Sequence, residues 1–284
     1  MTLDKSPIAI IAGNGVLPIE AAECLGAREI PVHVLGIKGE ADASVARFDH
    51  TFLSFHQLGT LFKLLKEKNI SRILLAGGIV KRPDVDLLKM DWGTIRTLPE
   101  IVGVLVSGDN SILTGTIEIF RRRNIEVLRF PDVLPELMVT AGANTGRKPR
   151  SRDLERIKHG SKVIDALGPF DIGQGVVVIG DRAVAVEGAE GTDAMLERVE
   201  QLRRIGRLPA KKGGVLVKKV KPGQDERADL PTIGPRTIAN LHAAGLNGVG
   251  VQAGKTIIVE RDRTLALAKS AGVFVFGNPS EDAS

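Results

Sequence analysis

Three carboxylates fall within seven residues in Glu187-Gly188-Ala189-Glu190-Gly191-Thr192-Asp193, between a strand-like apolar run and a run with helical spacing. Two glycines let the backbone fold closely around a ligand there. Oxygen donors without cysteine or histidine neighbours suit a hard cation, Mg2+ or Mn2+, better than zinc. Glu187, Glu190 and Asp193 are therefore candidate metal ligands. A plainer reading is also open, in which Thr192 caps the following helix and Asp193 favours its positive end. Asp109, in Ser107-Gly108-Asp109-Asn110-Ser111, is a fourth candidate ligand, in a segment whose side chains equally suit a helix N-cap. Asp229, in Asp229-Leu230-Pro231-Thr232-Ile233-Gly234-Pro235, stands in a proline-flanked loop just before a helical run. A carboxylate so placed can act on water or a metal while the helix end faces a phosphate. The competing reading is an Asx-turn that shapes the loop.

Two glycine loops follow apolar runs. In IIAGNGVLP, Gly13, Asn14 and Gly15 can present backbone N–H groups and a helix start to a phosphate. The dinucleotide fingerprint fails, because its third small position is Pro18. In LLAGGIVKRPD, Gly77 and Gly78 are followed by Lys81 and Arg82, which can neutralise phosphate charge or be solvated surface cations. The glycines of Asp171-Ile172-Gly173-Gln174-Gly175 suit a turn before a strand. His33, His50, His56, His159 and His242 lie in no metal-binding spacing, which disfavours a dinuclear metallophosphoesterase. No G-x-S-x-G is present, and Gly254-Lys255-Thr256 lacks the rest of a P-loop and runs into a strand-like stretch.

These segments need elements to hold them. In the first half, runs at 8–12, 32–37, 51–55, 72–76 and 126–130 read as strands. Helical spacing at 17–25, 57–68, 94–106 and 110–123 alternates with them. Strands alternating with helices imply a parallel sheet covered by helices, a Rossmann-like domain over residues 1–133. Residues 134–152, rich in Gly, Asn, Pro and Arg, read as a linker. Residues 153–284 read as a mixed α/β domain, with a hairpin signal at Gly180-Asp181-Arg182 and a helix over 233–244 that carries Pro235 in its first turn.

The 284 residues, 43% of them apolar, suffice for two cores. No apolar run reaches the roughly 20 residues that span a bilayer, and no signal-peptide pattern opens the chain, so a cytoplasmic protein is expected. The lone cysteine, Cys24, reads as a small apolar side chain in a helix. The net charge of +5 is concentrated at 121–123, 147–158 and 203–221. Such clusters are solvated faces, or attract anionic lipid or a phosphorylated substrate. Nucleic acid is disfavoured, because aromatics are 4% and tyrosine is absent.

In the order IIAGNGVLP (10–18), AGGIVKRPD (76–84), GDNSIL (108–113), DIGQGVVV (171–178), VEGAEGTDAMLER (186–198) and DLPTIG (229–234), the chain resembles the LpxI-type UDP-2,3-diacylglucosamine pyrophosphatases over nearly its whole length. The resemblance implies a two-domain enzyme of lipid A biosynthesis that uses Mg2+ and holds a lipid-linked sugar nucleotide between its domains. It would yield UMP and 2,3-diacylglucosamine 1-phosphate. It implies that Asp229 is the essential acidic residue, and it draws Gln174, Gly191, Thr192 and Thr232 into the candidate substrate-binding set. Peripheral contact with the inner membrane surface is expected with such a substrate, and the reading admits a homodimer. The second glycine loop departs from the family pattern, having Gly78-Ile79-Val80 where members often carry Asn before Ile or Val. Two other classes compete. A non-catalytic sugar-nucleotide-binding protein would bind without metal-dependent release of UMP, and a nicotinamide oxidoreductase would bind NAD(P)H.

Overall fold

The computed structural model describes residues 5–80, 90–95, 109–227 and 229–279. Met1–Leu134 with Arg227–Asp229 form one compact unit, and Pro135–Glu226 with Leu230–Ser284 form a second.

The first unit is built on a five-stranded sheet of β1 (Ile8–Ala12), β2 (Val32–Ile37), β3 (His50–Leu53), β4 (Arg72–Ala76) and β5 (Glu126–Val127), in the order β3-β2-β1-β4-β5. Every pairing is parallel, with Ile8 opposite both Val32 and Arg72. This is the expected Rossmann-like arrangement, and β1, central to it, has Ile8, Ala9 and Ile10 fully buried. Around the sheet stand α1 (Leu17–Ala27), α2 (Leu58–Glu67) and α3 (Asp109–Arg121). Pro18 sits in the first turn of α1, where its missing N–H breaks no helix bond. In α2, Leu61 and Leu65 are buried while Lys63 and Lys66 face solvent, so the amphipathic spacing fixes the packed face. Leu35, Leu65, Ile73 and Phe120 belong to the resulting core. The helix expected over 94–106 is described at 92–95; its remainder lies outside the described residues.

The second unit holds a mixed six-stranded sheet in the order β6-β13-β11-β9-β7-β8. Its strands are β6 (Gly142–Ala143), β7 (Gly175–Ile179), β8 (Arg182–Val186), β9 (Val215–Lys218), β11 (Gly248–Gln252) and β13 (Phe274–Asn278). The chain between β9 and β11 contributes β10 (Thr232–Ile233), which pairs in parallel with β12 (Ile257–Ile258). Strands β9, β11 and β13 are mutually parallel, while β7 and β8 form the expected antiparallel hairpin. One face is covered by α4 (Ser151–Leu167), packed on Val176, Val178, Val215 and Val217. The other carries α5 (Gly191–Arg204), α6 (Pro235–Ala243) and α7 (Arg261–Ser270) over a larger core.

The 134–152 stretch, read from composition as a linker, belongs to the second unit from Pro135 onward. Strand β6 pairs with β13, the Val139 N–H donates to the Thr256 carbonyl at 2.8 Å, and the Asn144 N–H donates to the Val275 carbonyl at 2.9 Å. The residues that suggested a linker make a tight edge turn instead. Gly142 has a φ of +85°, and the Asn144 amide donates to the Thr140 carbonyl at 2.8 Å.

Candidate active site

In the first unit, the loops leaving β1 and β4 meet each other. The Asn14 N–H donates to the Gly78 carbonyl at 2.8 Å, and the Gly78 N–H returns to the Asn14 carbonyl at 3.3 Å. A Cβ on Gly13 would lie 2.2 Å from the Gly78 oxygen, and one on Gly77, whose φ is +84°, 2.3 Å from the Asn14 oxygen. Gly13, Asn14, Gly77 and Gly78 are thus committed to one another. Gly15 differs: its φ is +87°, and a Cβ there would meet nothing within 4 Å. The joined loops lie at the carboxyl ends of β1 and β4, where the strand order reverses direction, the usual ligand position in open α/β sheets. Lys81 and Arg82 lie outside the described residues, and Asp109 is the first residue of α3, with its side chain likewise outside the description.

In the second unit a half-buried polar network joins three of the singled-out residues to one that was not. The Thr192 hydroxyl, in the first turn of α5, donates to Glu187 Oε1 at 2.7 Å. It accepts from the Lys218 ammonium at 2.8 Å, and the same ammonium donates to the Thr232 carbonyl at 3.2 Å. Lys218 is 6% exposed. Glu187 Oε2 is buried with no hydrogen-bond partner. The backbone gives this carboxylate its room. A Cβ on Gly175 would come within 2.4 Å of Oε2, and a Cβ on Gly173 within 1.9 Å of the Glu187 carbonyl oxygen. The glycines flanking Gln174 therefore serve Glu187 as well as the turn; the Gln174 carbonyl accepts from the Lys219 N–H at 3.1 Å. Gly191, φ +79°, opens α5, and Thr192 does not cap it.

The other two carboxylates of the acidic loop point to separate partners. Asp193 accepts from the Asn240 amide at 2.9 Å and lies 2.5 Å from Arg236 Nε. Glu190 pairs with Arg198 at 3.4 Å. Among the described residues no three His, Cys, Asp or Glu side chains come together in a way that could hold a metal ion. Glu187, Glu190 and Asp193 each have a hydrogen-bond or cation partner of their own instead.

A cavity of about 750 Å3 opens at the carboxyl ends of β9, β11 and β13 beneath α4, with Lys218, Gln224 and Glu226 on its wall. Asp229 follows three residues after Glu226, half-buried and hydrogen-bonded or ion-paired, at the end of the short segment 227–229 that clusters with the first unit.

Sequence comparison gives these sites a setting. Residues 7–137 match the LpxI N-terminal domain and residues 140–276 the LpxI C-terminal domain. The chain belongs to the LpxI family. Within it, UDP-2,3-diacylglucosamine pyrophosphatase LpxI from Caulobacter vibrioides is 34% identical over 276 residues, covering 96% of this chain and 98% of that one. Among solved structures, a Thermus thermophilus UDP-glucose 4-epimerase in complex with NAD is 13% identical at a TM-score of 0.30, covering 98% of this chain and 88% of that one. A likeness that low carries no argument about fold or ligand.

For this LpxI-family chain, the residue missed from the sequence is Lys218. Its signal is legible in retrospect. In Gly214-Val-Leu-Val-Lys-Lys-Val220, period-two alternation places Lys218 on the same face as Leu216, a fully buried core residue. A lysine on the inner face of an apolar strand must find buried partners. Thr192 and Thr232 are those partners.

Proposed function

We propose that this protein hydrolyses the pyrophosphate of UDP-2,3-diacylglucosamine to UMP and 2,3-diacylglucosamine 1-phosphate. The observation that carries the reading is the match of both LpxI domains along the chain, with 34% identity to a pyrophosphatase of that name over 96% of its length. In this reaction the oxygen of water bonds to one phosphorus, the bridging P–O bond breaks, and a proton leaves the attacking water. Little covalent chemistry is asked of the protein; positioning and charge stabilisation dominate. Asp229 is assigned as the acid–base residue that orients or deprotonates water. The Lys218–Thr192–Glu187 network supports the neighbouring segment, since Lys218 holds the Thr232 carbonyl three residues beyond Asp229.

Dependence on Mg2+ or Mn2+ is part of the proposal and rests on the substrate. Mg2+ commonly takes one or two protein carboxylates and fills its shell with phosphate oxygens and water. The described carboxylates do not form a protein-only site, and no step is derived through the ion. Peripheral contact with a membrane is supported by Phe170, 73% exposed, and Ile172, 40% exposed, which flank Asp171 after α4. No helix among the described residues is long and apolar enough to cross a membrane.

The test is incubation with UDP-2,3-diacylglucosamine in ¹⁸O water, with and without Mg2+, with both products analysed by mass spectrometry. Metal-dependent UMP release, with ¹⁸O in one product, is expected, and the labelled product identifies the phosphorus attacked. Binding without product would reduce the protein to a sugar-nucleotide binder, and full turnover after exhaustive chelation would remove the metal.

A further inference from the structure

We infer that the end of the second unit at the amino termini of β9, β11 and β13 is a docking surface for an acidic protein partner, one that presents apolar side chains among its carboxylates. The surface lies at the opposite end of the sheet from the cavity and the Lys218 network, and it uses none of their residues.

The fold gathers there two basic runs that are far apart in the chain. Arg147 donates to the Gly272 carbonyl just before β13, Arg150 and Arg152 open α4, and Arg207, Lys211 and Lys212 lie in the loop that enters β9. Arg182 begins β8 at the same end, because β7 runs antiparallel to β9. From β13 to β8 the surface crosses four strand spacings, roughly 19 Å. Arg150, Arg152, Arg182, Arg207, Lys211 and Lys212 are exposed and have no carboxylate partner among the described residues. At the other end of the sheet, Lys219, Lys221 and Lys255 are paired with Asp165, Asp171 and Glu226. Helix dipoles do not account for the difference. Arg204 and Lys269 suit the carboxyl ends of α5 and α7, and Arg204 also has Glu200. Arg150 and Arg152 stand instead at the start of α4, where positive charge is unfavourable. Like charges left unrelieved oppose the compact state, and the carboxylates of a partner would relieve them.

Three observations choose the partner. Ile205 is 61% exposed and directly follows Arg204 in this basic loop. An apolar side chain within a charged rim suits a protein interface and offers nothing to a phosphate backbone. The loop is also already shaped. The Arg203 guanidinium donates to the carbonyls of Ala244 at 2.9 Å, Lys211 at 2.8 Å and Gly213 at 3.0 Å, so little order remains to be imposed on binding. Finally, Phe170 and Ile172, the membrane contact proposed above, follow the far end of α4, a 17-residue helix roughly 25 Å long. A bilayer held at the basic end would leave them in water.

The experiment titrates labelled synthetic peptides, one of Glu and Leu and one with every Leu replaced by Ser, against the full chain by fluorescence polarisation. The proteins are wild type, R150E/R152E, K211E/K212E, I205S and K63E/K66E, the last making the same charge change on the exposed face of α2. Phosphatidylglycerol vesicles and duplex RNA are tested in parallel. We expect wild type to bind the Glu–Leu peptide, more weakly as salt is added, and each basic-surface pair of substitutions to reduce affinity by roughly tenfold. I205S should weaken the Glu–Leu peptide by about threefold or more and leave the Glu–Ser peptide unchanged. K63E/K66E should match wild type, and R150E/R152E should melt no lower than wild type, since it removes positive charge from a helix start. Unchanged peptide affinity in both basic-surface variants, an equal loss in K63E/K66E, or an I205S protein that binds both peptides like wild type overturns the inference. So does a wild type that binds neither peptide, or that binds vesicles or RNA more tightly than peptide and loses this in the same variants. Turnover of UDP-2,3-diacylglucosamine should be unchanged in every variant; its absence from wild type would remove the pyrophosphatase reading and leave the peptide result to be judged by itself.

Discussion

At the start of α2, the Asp91 carboxylate accepts from the Gly59 and Thr60 N–H groups, the Thr60 hydroxyl, and both the N–H and the hydroxyl of Thr94. At the start of α5, Glu187 accepts from the Thr192 hydroxyl and keeps its second oxygen buried and unpartnered. Both carboxylates serve the first turn of a helix, yet they differ in what is left over. Asp91 has its lone pairs well used, including those that satisfy the otherwise unbonded N–H groups of α2. Glu187 bears a buried acceptor without a donor, which costs on the order of 1–3 kcal/mol. A carboxylate in use on all sides secures the fold, whereas one with an idle oxygen weakens it and so points to a role beyond stability.

That contrast can be broken or sharpened by substitution. The largest effect is expected at Asp229, three residues before Thr232 in the chain. Asp229→Ala should lower kcat by roughly 10²- to 10⁴-fold with substrate still bound and both cores folded. An Asx-turn former would cost about 1 kcal/mol of stability and little turnover. Steady-state kinetics, ligand titration and melting on one preparation separate the two.

Next comes Glu187→Gln, which keeps the shape and removes the charge. Turnover should fall by roughly tenfold to 10²-fold through misplacement of the Thr192–Lys218 group, while the melting temperature holds or rises. A lower melting temperature with wild-type kcat would place Glu187 with Asp91 as a purely structural carboxylate.

Asp91→Asn should do the reverse. Losing charge-assisted hydrogen bonds at the α2 start should cost about 1–3 kcal/mol of stability, read by denaturant unfolding of the full chain, with kcat within twofold of wild type. A large fall in kcat at unchanged stability would contradict the assigned role.

The smallest effect is one of pH. Burial alone would raise the Asp91 pKa, but hydrogen bonds from Thr94 and Thr60 outweigh it and hold the carboxyl down to about 2, below its ordinary 3.8. A carboxyl with a depressed folded-state pKa adds stability that is present above the unfolded value and is lost as pH falls through the folded one. Wild type should therefore shed this contribution between about pH 4 and pH 2, and Asp91→Asn should show a shallower acid limb. Parallel acid melting curves for the two proteins would count against it.

Much of this architecture is legible in the residues. The apolar runs at 8–12, 32–37 and 72–76 coincide with strands of the first sheet, because an all-parallel sheet buries both faces and leaves continuous runs. The helical spacing of 57–68 fixes which face of α2 packs. Glu187 could be singled out from the residues, as one of three carboxylates between two elements beside glycines, whereas Thr192 and Thr232 entered the candidate set through the family resemblance. Local pattern cannot say which partner each group meets. Gly13 and Gly77 look like a phosphate cradle until the fold lays their loops against each other. Three neighbouring carboxylates look like a metal cluster until Arg198 and Arg236 take two of them. Lys218 reaches Thr192 across 26 residues and Thr232 across 14, through a strand order no periodicity encodes. Spacing within an element records which side of it is buried, while hydrogen bonds and ion pairs form between whichever groups the packed elements bring within 3 Å, so side-chain partnership belongs to the tertiary fold.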